Sequence, residues 1–254
     1  MLGALRKHPV ACLIALLPVL CAAGTCLAQP VTVPSVEISL KAVEKPEEMA
    51  QALQVLALLT VLSLAPAILV LLTSFVRIVV VLSFTRSALA TQQVPPNQVL
   101  IGLALVLTVF VMAPTWSDID SHAIGPYLAG NIKLNEALKY SEGSVRQFML
   151  RQTREKDLAL FADLTGVDVR AGDEAPMKAV IPAFVISELK TAFQMGFVVF
   201  LPFIVIDMVV ASTLMSMGML MLPPMMVSLP FKILMFVLAD GWHLVTRSLV
   251  SSFR

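Results

Sequence analysis

Of the 254 residues, 58% are apolar and 14% charged, and the formal net charge is +1. Soluble domains carry roughly 45–50% apolar residues, so this composition, with a mean hydropathy of +0.87, points to a membrane protein. A charge balance near zero leaves no electrostatic case for a nucleic-acid partner.

Residues 1–28 read as a cleaved secretory signal peptide. Arg6, Lys7 and His8 precede a short apolar run broken by Pro18, and Cys26-Leu27-Ala28 offers small residues at the third and first positions before a cut. The three cysteines, Cys12, Cys21 and Cys26, leave with it, and disulfide, thiol and Cys-metal chemistry leave with them. Residues 29–46, with their prolines and mixed charges, read as an N-terminal linker.

Residues 47–114 read as a first apolar helical hairpin. Residues 53–84 are apolar apart from interruptions such as Pro66 and Arg77, and a second run, 99–113, ends at Pro114. At 1.5 Å per residue that second run covers about 22 Å, short of the ~30 Å hydrocarbon core. Residues 115–178 are the one polar region, with eight Lys/Arg against ten Asp/Glu. Helix-like segments fall at 132–139 and 145–163, with Phe148, Leu150, Leu158 and Phe161 as apolar anchors. These anchors are too few for an independent core, so the segments must lean on the rest of the assembly. Residues 179–254 read as a second apolar hairpin, interrupted by Glu188, Lys190, Asp207 and Lys232 and closing through Asp240-Gly241-Trp242. The fold class is therefore an all-α membrane protein of broken, charge-containing helical hairpins plus a polar extramembrane region. A cleaved signal puts Arg77 and Arg86 near the cytoplasmic end of the first hairpin, as the positive-inside rule prefers, and makes 115–178 periplasmic. Arg247 and Arg254 then fall outside, against the same rule.

A charge at the centre of a lipid-facing helix costs about 2.5–3.5 kcal/mol on insertion scales. Arg77, Glu188, Lys190, Asp207 and Lys232 must therefore bury against one another, against other subunits or along a wet passage, and broken backbone at membrane depth obeys the same rule. Glu188 and Lys232 lie in different apolar runs, which predicts a salt bridge between them, across helices or subunits.

Enzymatic signatures are missing from the sequence: it has no phosphate-cradling loop, nucleophile elbow or metal-ligand spacing. Asp118, Asp120 and His122 could supply oxygen and imidazole ligands, but they follow Pro114 in a polar segment that reads as a solvated loop. No catalytic residue, metal or cofactor is assigned.

The densest signal is residues 215–226, six methionines in twelve residues: Met215, Met217, Met219 and Met221 at steps of two, then Pro223-Pro224, then Met225 and Met226. Steps of two scatter around a helix but align on extended chain, and no helix runs through the proline pair intact. Three readings stand: a Met-rich patch of membrane core, a soft-metal site, since thioethers select Cu(I), or a deformable seal made of flexible, polarisable side chains. A small-solute or Cu(I) transporter subunit is the functional alternative to a seal.

Four blocks carry a resemblance: Leu71 to Val81 around Arg77, Phe184 to Phe197 around Glu188 and Lys190, Ile206 to Pro224, and Leu229 to Trp242. Together they resemble the flagellar biosynthetic protein P family, the export-gate component of type III secretion, with related injectisome members. The resemblance implies a non-enzymatic pore subunit of the bacterial inner membrane and flagellar basal body. It also implies several copies, a pentamer, joined to the companion gate proteins Q and R and other export-apparatus membrane components, passing unfolded flagellar proteins. It puts the constriction gasket on Met219, Leu220 and Met221 with Met217 adjacent, Leu220 departing from an all-Met loop. It also puts the family's ion pair on Glu188 and Lys232.

Overall fold

A computed structural model describes residues 46–91, 93–166, 175–219 and 221–253. The expected signal peptide and nearly all of the expected linker lie outside these residues, as does Leu220. The chain divides into two units, residues 1–56 and 57–254; of the first, only the opening turns of one helix are described.

The described residues are helical, joined by turns and bends, with no strand among them. In chain order the helices are α1 (Pro46–Leu72), α2 (Phe75–Ala88), α3 (Asn97–Ile119), α4 (Gly125–Leu128), α5 (Leu134–Gln152), α6 (Glu155–Thr165), α7 (Met177–Ser216), α8 (Pro224–Leu238) and α9 (Gly241–Ser251). A five-residue π segment, Asp120–Ile124, carries α3 into α4.

The core is organised on α2. Ile78, Val81, Leu82 and Thr85 are buried at helical spacing, and the first three meet Leu100, Ala104 and Leu107 of α3, Ala192 of α7, and Val245 and Leu249 of α9. A second cluster joins Met112 of α3, Phe148 and Met149 of α5, and Val180 and Phe184 of α7; the Phe148 and Phe184 rings meet edge-on at 6.0 Å. The polar region thus leans on this cluster through three of the anchors named for that purpose, Phe148, Leu150 and Leu158.

Three helices, Ala52–Leu72, Asn97–Leu128 and Met177–Ser216, are long and apolar enough to cross a membrane, and the α8–α9 pair, bent by 63°, would make a fourth. From residue 57 to Leu72 no side chain of α1 is buried. At 1.5 Å per residue the 21 residues of Ala52–Leu72 reach about 31 Å, one hydrocarbon core. The 40 residues of α7 reach about 60 Å, so this helix is long enough to cross a bilayer and continue beyond it.

Two expectations about helix ends are corrected. The second apolar run does not stop at Pro114: α3 runs through this proline to Ile119, and the π segment prolongs it. Proline removes one backbone donor, a loss this helix accommodates because Thr115 and Ile119 beyond the proline, and Ala123 in the π segment, are buried, Ile119 and Ala123 against Ala137 of α5. Nor is there a break near residue 140. Ser141 and Ser144 donate their hydroxyls to carbonyls one turn back, Arg146 pairs with Glu142, and α5 stays continuous. The break comes at Thr153–Arg154, where the Arg154 N–H donates to Ser187 Oγ (3.0 Å) and the Ser187 hydroxyl donates to Asp157 (2.7 Å). A buried serine on α7 sets the corner between α5 and α6.

The α8–α9 corner depends on Gly241. A Cβ there would stand 2.2 Å from the ring of Phe236, which is itself buried against Phe203 and Trp242. We expect Gly241→Ala to destabilise the fold by about 1–3 kcal/mol, as overpacking does, measured as a lower unfolding midpoint of the detergent-purified chain. An unchanged midpoint would show that the corner opens without cost.

Candidate functional site: a methionine hairpin and two ion pairs

The methionine stretch joins the two hydrophobic helices α7 and α8. α7 ends at Ser216 because Gly218 adopts φ +74°. Its N–H donates to Met215 O (3.1 Å) while the Met219 N–H reaches Leu214 O (3.0 Å), the paired bonds of a Schellman cap. A left-handed residue costs glycine nothing but a side-chain-bearing residue about 1–2 kcal/mol. α8 starts at Pro224 with Pro223 as its cap, where the missing N–H is not needed.

Between the two caps the described residues are not helical, so Met217, Met219 and Met221 occupy the broken backbone expected from their spacing. Met215 does not; it sits in the last turn of α7. All six methionines of the stretch are exposed, from 40% for Met219 to 97% for Met221. They are not packed as core within this chain.

Two ion pairs brace the helices that carry this hairpin. Between α7 and α8, Lys232 Nζ donates to Asp207 Oδ2 (2.6 Å), and Ser228, one turn before Lys232, donates to Asp207 Oδ1 (2.6 Å). Lys232 is 3% exposed, whereas the Asp207 side chain keeps 37% of its surface open. Phe203 and Phe236 pack beside this latch, ring centroids 6.3 Å apart.

Between α2 and α7, Arg77 and Glu188 form a bidentate pair: Arg77 Nε donates to Glu188 Oε2 (3.0 Å) and Nη2 to Oε1. The residues are 2% and 0% exposed. The other guanidinium donors are also taken. Nη2 reaches Gln152 Oε1 (3.1 Å), and Nη1 reaches both the carbonyl and the hydroxyl of Ser252 (3.0 Å each). The Phe253 ring lies 3.9 Å from the guanidinium carbon, within cation–π range. An arginine with every donor partnered is the arrangement that makes a buried ion tolerable.

The expected Glu188–Lys232 bridge does not form within the chain, where each residue takes a different partner. Arg77, on α2 against α7, offers Glu188 a planar fork that matches both carboxylate oxygens. Lys232, a point charge on α8, meets the carboxylate nearer the hairpin. Arg77 was foreseen as an ion in need of shelter; Gln152, Ser252 and Phe253 were not, since no spacing rule connects residues 75 or more positions apart. Ser228 was legible: four residues before Lys232, it shares its helical face. Of the other ionisable groups singled out, Lys190 and Asp240 are exposed, and Asp240 caps α9 at φ 49°.

Asp118 and His122 contact each other (3.1 Å), both well exposed, and Ser144 donates to Asp118 (2.6 Å). They lie on helix and π segment rather than in the expected loop. Among the described residues no three His, Cys, Asp or Glu side chains come together as a metal site.

Helices with apolar exteriors, charges turned inward onto one another and lengths matched to a bilayer define an all-helical membrane protein. Residues 58–249 match the FliP family. The chain is 57% identical over 209 residues to the flagellar biosynthetic protein FliP of Bacillus subtilis, covering 82% of this chain and 95% of that protein. It is 55% identical over 205 residues to the protein of the same name from Caulobacter vibrioides (80% and 77% covered). The Aquifex aeolicus relative is 48% identical over 209 residues (81% and 87%). The chain belongs to the FliP family.

Proposed function

We propose that this chain is a pore-forming subunit of the flagellar type III export gate, passing unfolded flagellar proteins across the bacterial inner membrane. In this reading several copies, five by family resemblance, join companion gate proteins Q and R and other membrane components of the export apparatus within the basal body. The signal peptide is removed, and residues 115–178 face the periplasm. No chemistry is performed on the cargo. The relatives are named for flagellar biosynthesis, which favours this reading over a small-solute or Cu(I) carrier.

The observation that carries the proposal is the methionine hairpin itself, a tip of exposed thioethers at the end of two helices clamped together just behind it. Thioether side chains are unbranched and rotate freely. A ring of them closes on water yet yields to a passing chain. Met217, Met219, Leu220 and Met221 form that seal, with Pro223 and Pro224 as the break that keeps it out of helix. The apolar surface left open along α7 and α8, together with exposed Lys190 and Asp240, is covered by neighbouring subunits.

Met219→Ala combined with Met221→Ala is the test. We expect ion leakage through the assembled gate to rise severalfold while the amount of assembled complex stays the same, since alanine leaves an open bore but alters neither latch. Leakage equal to that of the parent protein would remove the seal from the proposal.

A further inference from the structure

Arg77 is held by elements from four parts of the chain. α2 carries it, α7 supplies Glu188, the end of α5 supplies Gln152, and the turn after α9 supplies Ser252 and the covering ring of Phe253. That turn lies outside the segment, 58–249, matched by the family as a whole. It is tied in twice more: Gln152 Nε2 donates to the Phe253 carbonyl (3.3 Å), and Phe253 packs against both core clusters. The helix leading to it is seated by Val245 and Leu249 against α2 and α3.

We infer that Ser252 and Phe253 form a strap that closes the Arg77 site, so that docking of α9 and completion of the buried ion pair are one event. Without the strap, Arg77 keeps its two bonds to Glu188 and one to Gln152 but loses both Ser252 acceptors and the ring that covers it. Buried donors left unpaired are costly, so the open state is penalised on α2 as well as on α9. The converse follows by linkage: weakening the Arg77 fork loosens α9, although Arg77 lies on a different helix. This coupling is independent of whether the assembled protein is a pore.

Arg247 lies exposed on α9, so trypsin cleavage there reports opening of that helix. In the full-length detergent-purified chain we expect Phe253→Ala to speed cleavage after Arg247 about tenfold, and Arg77→Lys, which removes the planar fork, to do so comparably. The double variant should be no faster than the faster single one, because one opening is counted twice. Ile119→Ala, in a separate cluster with Ala123 and Ala137, should leave that cleavage unchanged. If Arg77→Lys does not accumulate, Gln152→Ala takes its place, since Gln152 bonds both Arg77 and the strap. Arg247 cleavage unmoved by the substitution on α2 or α5, or rate increases that multiply in the double variant, would overturn the strap.

Discussion

Arg77→Ala is expected to cost about 3–5 kcal/mol, the usual consequence of removing one partner from a buried ion pair. Globular proteins as a class have only about 5–15 kcal/mol of stability, so the variant should be found mostly degraded or unassembled in membranes. The reason is what it leaves behind. Glu188 is fully buried, and among the described residues its side chain bonds to Arg77 through both oxygens. Gln152 and Ser252 keep other partners, the Phe253 and Leu249 carbonyls. Converting both ions to leucine should therefore be milder than either single change, because apolar pairs often replace buried ion pairs at little cost. Membrane protein level and detergent unfolding midpoint are the measurements. A double variant worse than Arg77→Ala would show that the pair contributes net stability rather than merely avoiding an orphan charge. Within the chain Glu188 and Lys232 do not meet, so rescue of either single swap by exchanging their charges would show that they pair between neighbouring copies.

The second large effect is an asymmetry at the α7–α8 latch. Asp207→Ala strands Lys232, which is 3% exposed, and should cost about 3–5 kcal/mol. Lys232→Met should cost far less. Asp207 retains the Ser228 hydroxyl at 2.6 Å and an open side, so its charge stays solvated, while the methionine keeps the buried stem volume. The two substitutions break the same contact, and a merely pairwise view would make them equal. Equal loss of assembled protein in both variants would show that the pair, and not the burial of the lysine, sets the cost. Because this latch lies behind the methionine tip, Asp207→Ala should also disturb the hairpin more than any change inside the loop.

Some of this was open to reading in one dimension. The helical class, the membrane-length runs and the end of α7 before Pro223-Pro224 follow from composition, hydropathy and backbone chemistry, all of which are local. The alternation from Met215 to Met221 likewise pointed to chain that is not helix, which holds for three of its four methionines, Met215 staying in the last turn of α7. The polar region's dependence on the rest of the molecule could be inferred from how few apolar anchors it has. That Arg77 and Glu188 need partners was certain from their setting in apolar runs.

Which partners they take was not. A lone charge in an apolar run states a demand but carries no address; the answer depends on which helix faces which, at what depth and rotation. Helix packing places Arg77 opposite Glu188, swings Ser252 and Phe253 across it, and leaves Lys232 to Asp207. The same limit explains the misread helix ends. Pro114 and the gap between 139 and 145 interrupt the helical pattern locally, yet the helices run on because residues around them are buried or bonded across the fold, while the corner at Arg154 is set by a serine 33 positions away. Short-range backbone preferences determine which stretches are helical and where the methionines leave the helix, whereas the identity of each buried contact is decided only when distant segments are brought together.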